Sequence, residues 1–334
     1  MKNVWQELSR PITALAPMSD VTDSVFRQII SGFRNPDLFY TEFVSADGLC
    51  HPEGQKKLLR ELYFTPQEQP LIAQVFGGRP ENIKKACRMI AKLGFVGVDI
   101  NMGCPDRTIE KQKSGSYLIK NYSLAKEIIQ AGKEGAGELP ISVKTRLGYN
   151  SLEEFEPWAK TLIESRPASI TFHLRTRKEL SKVKAHHEFI PHIVDFFSGT
   201  DIPILVNGDF NSLAEGRQIA AKYNLAGIMF GRAIFGRPWL FSGQEDIPLK
   251  NKLLTLEKHI KLFADYYLPG DKNQQLFNGH TKSFVIMKKH FKAYLVGYPE
   301  ISNLRTSLME IETPQEALEL IENFYICPRG KVPR

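Results

Sequence analysis

A cysteine at the end of an apolar run is the residue of this sequence whose position best suits chemistry. Residues 98–121 read VDINMGCPDRTIEKQKSGSYLIKN, so Cys104 follows a β-branched stretch and precedes Pro105. Proline lacks a backbone donor and biases the preceding residue away from helical geometry, which predicts that the thiol lies at a strand-to-loop corner. The alternative is that Cys104 is a small buried hydrophobe, and this stretch alone favours that alternative.

Residues suited to binding also occur where other apolar runs end. They are Pro17 and Met18, Gln74, Asn101, Lys144 and Arg146, His173 and Arg175, Asn207, Gly208 and Asp209, and Gly231 and Arg232. Large polar groups inside apolar strands are costly unless they are paired. Because such groups recur at the same end of successive strands, the sequence predicts one convergent site.

The last two of these ends, residues 207–209 and 231–232, predict a phosphate site. Barrels of eight βα units commonly hold a phosphate in the loops after their seventh and eighth strands. Glycine lets backbone N–H groups approach an oxyanion, and Arg232 adds a positive charge. A plain tight turn and a solvated arginine are the alternatives, and the placement of the two motifs on adjacent strands favours phosphate.

Lys144 and His173 each allow two interpretations. Lys144 is either a surface lysine or, if it points into the barrel mouth, a group that stabilises negative charge on a ring system such as a reduced flavin. His173 is either a core histidine with satisfied hydrogen bonds or a ligand to the phosphate or the ring, and the sequence leaves the choice open.

The elements that carry these residues alternate between strand and helix. Apolar runs predict strands at 12–18, 38–46, 71–76, 96–102, 141–145, 169–174, 204–207 and 227–230. Amphipathic or capped segments predict helices at 24–33, 80–93, 117–134, 152–164, 187–197, 212–223 and 232–239. This alternation predicts an α/β protein with a (β/α)8 TIM barrel over residues 1–243. A doubly wound sheet is disfavoured because no G-x-G-x-x-G turn follows the first strand.

Strand signals end near residue 242, and the remaining pattern is helical. Helices are predicted at 252–267, 281–296 and 314–324. Residues 249–326 are therefore expected to form a smaller all-helical C-terminal domain. The final residues, 328–334, are basic and are expected to fray.

Composition argues against several classes of protein. The chain has 334 residues with 44 Lys and Arg against 37 Asp and Glu, and its net charge of +7 suits a polyanionic partner or a plain solvated surface. The four cysteines form no C-x-x-C pair, and adjacent His186 and His187 point apart, so no metal site is expected. Reduced thiols predict a cytoplasmic protein. No apolar run approaches the ~18 residues of a membrane span, so no membrane partner is expected.

Together these motifs resemble those of the tRNA-dihydrouridine synthase family, flavoenzymes that reduce uridine in RNA. The matching segments are residues 16–18 and 21–23 (APM, VTD), 74–77 (QVFG), 99–105 (DINMGCP), 143–146 (VKTR), 173–177 (HLRTR), 207–209 (NGD) and 231–233 (GRA). They occur in the family's order and spacing across the whole barrel. Residues 287–300, MKKHFKAYLVGYPE, are similar to the family's helical domain.

The resemblance implies FMN as the cofactor, with NADPH or NADH as the reductant. The positions that match the family's flavin contacts are Pro17, Met18, Ser19, Gln74, Lys144, His173, Asn207, Gly208, Asp209, Gly231 and Arg232. The resemblance also implies that a hydride reaches C6 of a uracil ring and that Cys104, as general acid, donates a proton to C5. Asn101 is expected to orient the uracil or the edge of the flavin.

An RNA partner, most simply tRNA, fits the distribution of cations in the loops after the fourth and sixth strands and in the helical domain. The residues expected to bind substrate are Asn101, Arg175, Arg177, Lys288, Lys289, Lys292 and Arg305, and Lys282 and His290 belong to the same basic run. A solvated helix face is the alternative. Three other functions stay open: a barrel oxidoreductase for a small metabolite, an enzyme for another RNA such as rRNA, and an RNA-binding protein without catalysis.

Overall fold

Eight parallel strands form a barrel in the computed structural model, which describes residues 3–326 apart from the side chains of residues 300 and 326. The strands are β1 (Ile12–Leu15), β2 (Phe39–Ser45), β3 (Leu71–Phe76), β4 (Gly97–Met102), β5 (Ile141–Arg146), β6 (Ile170–His173), β7 (Ile204–Asn207) and β8 (Gly227–Phe230). From β2 to β8 each strand pairs with the next, and β8 pairs with β1. A single bridge between Ala14 and Leu38 joins β1 to the start of β2. The predicted (β/α)8 TIM-barrel fold is confirmed.

Helices connect the strands and continue the chain beyond the barrel. They are α1 (Val4–Glu7), α2 (Ser24–Ser31), α3 (Ala46–Leu49), α4 (Pro52–Leu58), α5 (Pro80–Ile90), α6 (Arg107–Lys111), α7 (Tyr122–Ala136), α8 (Phe155–Ser165), α9 (Ile190–Phe197), α10 (Leu213–Lys222), α11 (Leu249–Tyr267), α12 (Asp271–Phe277), α13 (Met287–Tyr294), α14 (Ser302–Glu310) and α15 (Pro314–Ile326). Within residues 3–326, no helix combines the length and the hydropathy needed to cross a membrane.

Side chains alternate across each strand and form two cores. Outward-facing residues such as Val98 and Ile100 pack against the surrounding helices. Inward-facing residues such as Ala14 and Tyr40 fill the lower interior, which Trp5 of α1 closes by donating its indole N–H to the Tyr40 hydroxyl at 3.2 Å. Because the lower interior is apolar and closed, the polar side chains of the strands collect at the opposite end, the carboxyl-terminal mouth.

A separate apolar cluster holds the C-terminal helices together and against the barrel. Its buried members include Leu256 and Phe263 of α11 and Phe291 of α13, and they pack with Val25 of α2 and Trp239 after β8. The C-terminal helices are therefore anchored on the side of the barrel that carries β1, α2 and β8. The division into domains at residues 243 and 249 stays a prediction.

Several helices begin later than the sequence predicts because 3-10 turns precede them. Such turns lie before α7, α8 and α13, at residues 115–120, 152–154 and 284–286. The side chain of Asn121 starts α7 anew by accepting the Leu124 N–H at 3.2 Å. The predicted helix at 232–239 is wrong. Gly236 has φ +67°, and a Cβ there would lie 2.1 Å from the Ala293 carbonyl oxygen, so the backbone turns sharply where it meets α13.

Candidate active site

A cavity of about 850 Å³ lies at the carboxyl ends of β5, β6, β7, β8 and β1. It brings together most of the predicted cofactor residues, which are Pro17, Met18, Lys144, His173, Asn207, Gly208, Asp209, Gly231 and Arg232. Arg175, predicted to bind substrate, lies in the same lining. Two predicted cofactor residues lie outside it: Ser19 is exposed in the turn after β1, and Gln74 is fully buried within β3.

The cavity carries more positive than negative charge. Its cations are Lys144, Arg146, Arg175, Lys184 and Arg232. Among the described residues, Asp209 is the only acid of the lining, and it accepts hydrogen bonds from Arg175 and Arg232. Burial raises the pKa of this carboxyl, but the Ala185 N–H and the two arginines outweigh burial and hold the pKa below its ordinary value. The remaining positive charge suits an anionic ligand.

Lys144 is the half-buried cation of the cavity that has no partner, whereas Lys184, which also has none among the described residues, is exposed. Its ammonium makes no hydrogen bond or ion pair with any residue in the described part of the chain. The pKa of Lys144 is lowered to about 8, first by burial and then by Arg146, against the opposing effects of Asp99 and Cys104. An anion beside this group would favour its charged form, so Lys144 is placed to stabilise negative charge in a ligand.

His173 is held neutral at the centre of the cation cluster. Its pKa lies well below the ordinary value, first because of burial and then because of Arg146, Lys144 and Arg175. Its Nε2 lies 3.1 Å from a guanidinium nitrogen of Arg175. A guanidinium can only donate, so Nε2 is the acceptor and the ring proton resides on Nδ1. Because the ring lines the cavity, this side chain is placed to contact a ligand.

The ends of β7 and β8 leave space beside the backbone. Asn207 joins the two strands by donating its side-chain N–H to the Met229 carbonyl at 2.8 Å. Gly208 has φ +133°, a conformation that L side chains rarely adopt. At Gly231 a Cβ would meet nothing closer than the Asn207 amide at 3.7 Å, with Ala16 Cβ at 3.8 Å and Met18 Sδ at 3.9 Å, so it would occupy cavity space. A ligand can therefore approach the backbone at this strand end.

Across the mouth, the turn that carries Cys104 is fixed by Asn101. The Asn101 side-chain oxygen accepts the Gly103 N–H at 3.1 Å and the Cys104 N–H at 2.9 Å. On the other side, Arg146 donates to the Gly103 carbonyl at 2.7 Å. Asn101 is buried, and its side chain serves the turn.

A chain of buried hydrogen bonds holds Asn101 in place. Its amide N–H donates to Gln74 at 2.9 Å, and Gln74 donates to Asp99 at 2.6 Å. Ser142 also donates to Asp99. Burial, the largest effect, raises the pKa of Asp99 to about 6, against the lowering effect of these bonds. Gln74, predicted to bind cofactor, thus acts in this structure on the cysteine turn through Asn101.

The backbone carbonyl of Cys104 also accepts hydrogen bonds. Ser116 donates to it through its N–H at 3.0 Å and its hydroxyl at 2.8 Å. The same hydroxyl contacts Glu110, which pairs with Arg177 from the loop after β6. Arg177, predicted to bind RNA, is therefore held by an acid at the mouth, and its role in RNA binding stays a prediction.

The Cys104 thiol has the properties of a weak acid. Burial is the largest influence and raises its pKa, and the charge of Asp106 acts in the same direction. The Asp106 N–H, Arg146 and Lys144 lower the pKa without cancelling the rise. The thiol is protonated at neutral pH, and two cations lie close enough to stabilise the thiolate that forms when the proton leaves.

The cavity also includes two residues that are not among the predicted cofactor or substrate contacts, Arg146 and His187. Arg146 follows Lys144 by two positions, and the two-residue period of a strand predicts that both lie on one face. His187 bonds to the Gly208 carbonyl at 2.7 Å and stacks on Phe210 at 4.7 Å. The sequence predicts a helix from residue 187, but it gives no signal that the His187 ring reaches the end of β7.

The predicted RNA-contact residues of the C-terminal helices lie on or near the surface. Lys289 and Lys292 are exposed, and Lys288 and Arg305 are half-buried. Lys289 Nζ lies 3.4 Å from the carboxylate of Asp20, directly after β1. The basic helix α13 therefore borders the barrel mouth.

Two other residues of the same basic run are buried, which corrects the prediction that they face RNA. Lys282 Nζ lies 2.6 Å from carboxylate oxygens of both Glu42 and Glu61. His290 packs its ring against Phe26 at 4.7 Å and is enclosed between α11, α13 and the barrel. These side chains join the C-terminal helices to the barrel and are not accessible to a phosphate backbone.

Comparisons with known proteins cover nearly the whole chain. The family model described as Dihydrouridine synthase (Dus) matches residues 14–326. A Staphylococcus aureus (strain COL) protein named "Probable tRNA-dihydrouridine synthase" is 40% identical over 326 residues, which are 97% of this chain and 96% of that protein. The "Probable tRNA-dihydrouridine synthase 2" of Bacillus subtilis (strain 168) is 39% identical over 325 residues, which are 97% of each chain. The similarity includes the barrel and the C-terminal helices.

Solved structures share the fold at low sequence identity. Morphinone reductase has a TM-score of 0.52 at 12% identity, over 75% of this chain and 91% of that one. A complex of 2-naphthoyl-CoA reductase has a TM-score of 0.54 at 13% identity, over 90% of this chain and 58% of that one. These likenesses concern the fold alone.

Proposed function

Because the chain belongs to the dihydrouridine synthase family and is therefore an oxidoreductase, we propose that it reduces the C5–C6 bond of uridine in tRNA. The proposed cofactor is FMN, and NADPH or NADH is the proposed reductant. Residues 1–243 would bind FMN and residues 249–326 would bind RNA. The observation that carries the proposal is the fixed Cys104 turn at a cavity rich in cations, beside Lys144, which has no ion-pair partner in residues 3–326.

The residues of the cavity fit a flavin mononucleotide. The volume of the cavity, about 850 Å³, is in the ordinary range for a small-molecule site. Asn207, Gly208 and Arg232 would hold the phosphate, because Gly231 leaves cavity space beside the backbone and the guanidinium supplies charge. Lys144 and His173 would border the ring system, with Pro17 and Met18 beside it. For Ser19 and Gln74 the family resemblance alone supports a cofactor contact.

When bound, the reduced flavin would supply the hydride that reaches C6 of the uracil ring. Cys104 would donate its thiol proton to C5, so that one hydride and one proton saturate the double bond. The raised thiol pKa keeps this proton available at neutral pH, and Lys144 and Arg146 would stabilise the thiolate left behind. Asn101 would hold the thiol in position through the backbone of the turn.

A uracil inside folded RNA cannot reach a barrel mouth without leaving its stack, so the reaction requires base extrusion. Exposed Lys289 and Lys292 on α13 border the mouth and would hold the backbone, with Lys288 and Arg305 beside them. Arg175 and Arg177 would act closer to the reacting base. A cytoplasmic location agrees with an RNA substrate and with reduced thiols.

The test is mass spectrometry of nucleosides from unmodified tRNA incubated with the protein and NADPH. Dihydrouridine is expected from the wild type, and Cys104→Ala should lower its rate of formation by about 10²- to 10⁴-fold. Flavin absorbance should persist in that variant, because the thiol is not part of the cavity lining. Cys50→Ala, which removes another half-buried thiol, is the matched control and should stay active.

A folded, yellow protein that forms no dihydrouridine in tRNA would contradict the assignment of substrate. The same assay with rRNA and with small unsaturated metabolites then distinguishes the other functions. A colourless protein with intact RNA binding would contradict the assignment of cofactor.

A further inference from the structure

A second basic depression lies on the outer side of the barrel, between α4 and α5. This α4–α5 groove has a volume of about 360 Å³, and its walls include Cys50, Gln55, Lys85, Arg88, Met89 and Lys92. No acidic residue contributes to its described lining. It lies on the β2–β4 side, whereas the proposed flavin cavity spans β5 to β1.

The three cations of the groove have no ion-pair partner among the described residues. Lys85, Arg88 and Lys92 are exposed, and their charged groups make no hydrogen bond or ion pair with residues 3–326. Asp47 and Glu81 lie near Cys50 at the upper end. Asp47 is already engaged, since Asn82 donates to it at 2.7 Å and Arg79 lies 3.8 Å away.

Neighbouring surface lysines are treated differently. Lys84, on the same helix, pairs with Glu134 of α7 at 2.7 Å, and Lys56 of α4 pairs with Glu53 at 2.9 Å. Lys56 and Lys84, on either side of the groove, thus pair with acids, whereas the three cations inside it have no such partner among the described residues. A net positive groove with neutral walls attracts an anionic partner.

The arrangement of the cations suits a strand of anions better than one anion. Lys85 and Arg88 are three residues apart on one face of α5, and Lys92 follows in the turn after the helix ends at Ile90. At about 1.5 Å per residue, Lys85 and Arg88 are roughly 4.5 Å apart along the helix axis. Three cations that follow one another along the groove suit successive phosphates of a strand.

The groove also leads toward the mouth. It begins at Cys50, where α3 continues the chain from the carboxyl end of β2. On its other side, α5 follows a loop that touches the chain after Cys104, because a Cβ on Gly78 would lie 2.2 Å from the Gln112 carbonyl oxygen. A polyanion lying over the Cys104 turn can therefore continue into the α4–α5 groove.

We propose that the α4–α5 groove binds backbone phosphates of the RNA substrate at a distance from the reacting uridine. The inference rests on the proposed function for its substrate class. It assigns a contact on the barrel itself, in addition to the cations of α13.

The test compares two triple variants that remove the same charge. The groove variant, Lys85→Ala/Arg88→Ala/Lys92→Ala, removes the three cations of the groove. The control variant, Lys160→Ala/Arg217→Ala/Lys222→Ala, removes three exposed cations from α8 and α10 on other sides of the barrel. The Kd for tRNA is measured over a range of salt, and kcat and KM for dihydrouridine formation are measured beside it. Circular dichroism confirms that both variants are folded.

The groove variant should reduce the slope of log Kd against log salt by about 2 to 3, because three phosphate contacts are lost. Its KM for tRNA should rise while kcat at saturating tRNA stays unchanged. The control should resemble the wild type. Equal slopes in the two variants would overturn the inference, because charge alone would then explain the change.

A second readout uses Cys50 in the wild-type protein. Bound tRNA should slow alkylation of this thiol, followed in its own peptide by mass spectrometry, and inorganic phosphate at equal ionic strength should not. Unchanged alkylation, or equal protection by phosphate, would overturn the inference. A wild type that binds tRNA through the groove and forms no dihydrouridine would contradict the proposed function and leave the groove assignment standing.

Discussion

Two lysines, half-buried Lys144 and buried Lys282, lie in opposite electrostatic surroundings. At the mouth, Lys144 has no ion-pair partner in the described chain, and its pKa is lowered to about 8, chiefly by burial. At the interface with the C-terminal helices, Lys282 lies 2.6 Å from Glu42 and Glu61 and 3.9 Å from Asp23. Burial there would lower the lysine pKa, but the acids outweigh it and raise the pKa well above its ordinary value.

This difference in counter-charge distinguishes a structural interface, at Lys282, from a ligand site, at Lys144. At the interface the chain provides its own counter-charge, so the ion cluster is complete when the protein is folded. At the mouth the counter-charge is missing, and the cost of burying Lys144 is offset when an anionic ligand binds. Four predictions examine this contrast.

The largest effect on folding is expected from Lys282→Met. The substitution leaves Glu42, Glu61 and Asp23 buried without their cation, and such a loss costs about 3–5 kcal/mol of unfolding free energy. Urea unfolding at neutral pH measures it. Lys289→Met removes the half-exposed pair with Asp20 and should cost less than about 1 kcal/mol. Equal small losses of unfolding free energy in the two variants would show that the buried ion cluster does not stabilise the interface.

Lys144→Met should preserve stability and reduce activity, the opposite of what is expected for an interface residue. The unfolding free energy should stay the same or rise, because a buried cation without a partner is removed. Dihydrouridine formation should fall by about 10²- to 10³-fold, because charge stabilisation at the reacting centre is lost. Lys184→Met, an exposed cation of the same cavity, is the control and should change activity less. A destabilised but fully active Lys144→Met protein would contradict the contrast.

Asp99→Asn tests the acid beneath Lys144. The folded pKa of about 6 exceeds the ordinary 3.8, so the folded state holds the proton more tightly and this group's contribution to stability falls as pH rises from 4 to 6. At about 1.4 kcal/mol per pKa unit, the fall is roughly 3 kcal/mol at most. Asparagine does not titrate, so urea unfolding at pH 4 and pH 7 should show less decline in the variant.

A sign control accompanies that measurement. The pKa of Asp209 is lowered, so its contribution is present above its ordinary pKa and is lost as pH falls. In Asp209→Asn, urea unfolding compared at pH 3 and pH 5, on either side of the ordinary pKa of 3.8, should therefore show less loss of stability toward low pH than in the wild type. If the pH dependence of stability changed in the same direction in both variants, these two carboxyls would be excluded as its source.

The smallest effect is expected from His290→Phe at the interface. Burial, followed by the charge of Lys289, lowers the pKa of His290 to about 3, and its ring meets His259 at 4.5 Å and Phe26 at 4.7 Å. Its contribution to stability is complete above the ordinary pKa of 6.5 and declines by about 1.4 kcal/mol per pH unit below it. Phenylalanine should therefore make the protein more stable than the wild type at pH 5.5, in urea unfolding, with little difference at pH 8.

The fold could be predicted because each strand and helix carries a local pattern. Parts of the site also follow from short-range sequence patterns. Asn101 holds a turn two and three residues away, and Arg146 follows Lys144 at the period of a strand. The interface with the C-terminal helices has no such short-range pattern. Lys282 meets Glu42 across 240 positions, and nothing near it in the sequence distinguishes it from exposed Lys289. Buried partners so far apart become visible only in the folded chain.

The junction between β1 and β2 has the least backbone pairing in the described barrel. Ala14 and Leu38 form one isolated bridge there, whereas each other pair of neighbouring strands shares a ladder of at least three residue pairs. Lys282 spans this seam by binding Glu42 on one side and Asp23, which caps α2, on the other. The segment between α12 and α13 therefore adds ionic contacts across the junction that has the least backbone pairing. Closure of the barrel and docking of the C-terminal helices thus share the same lysine.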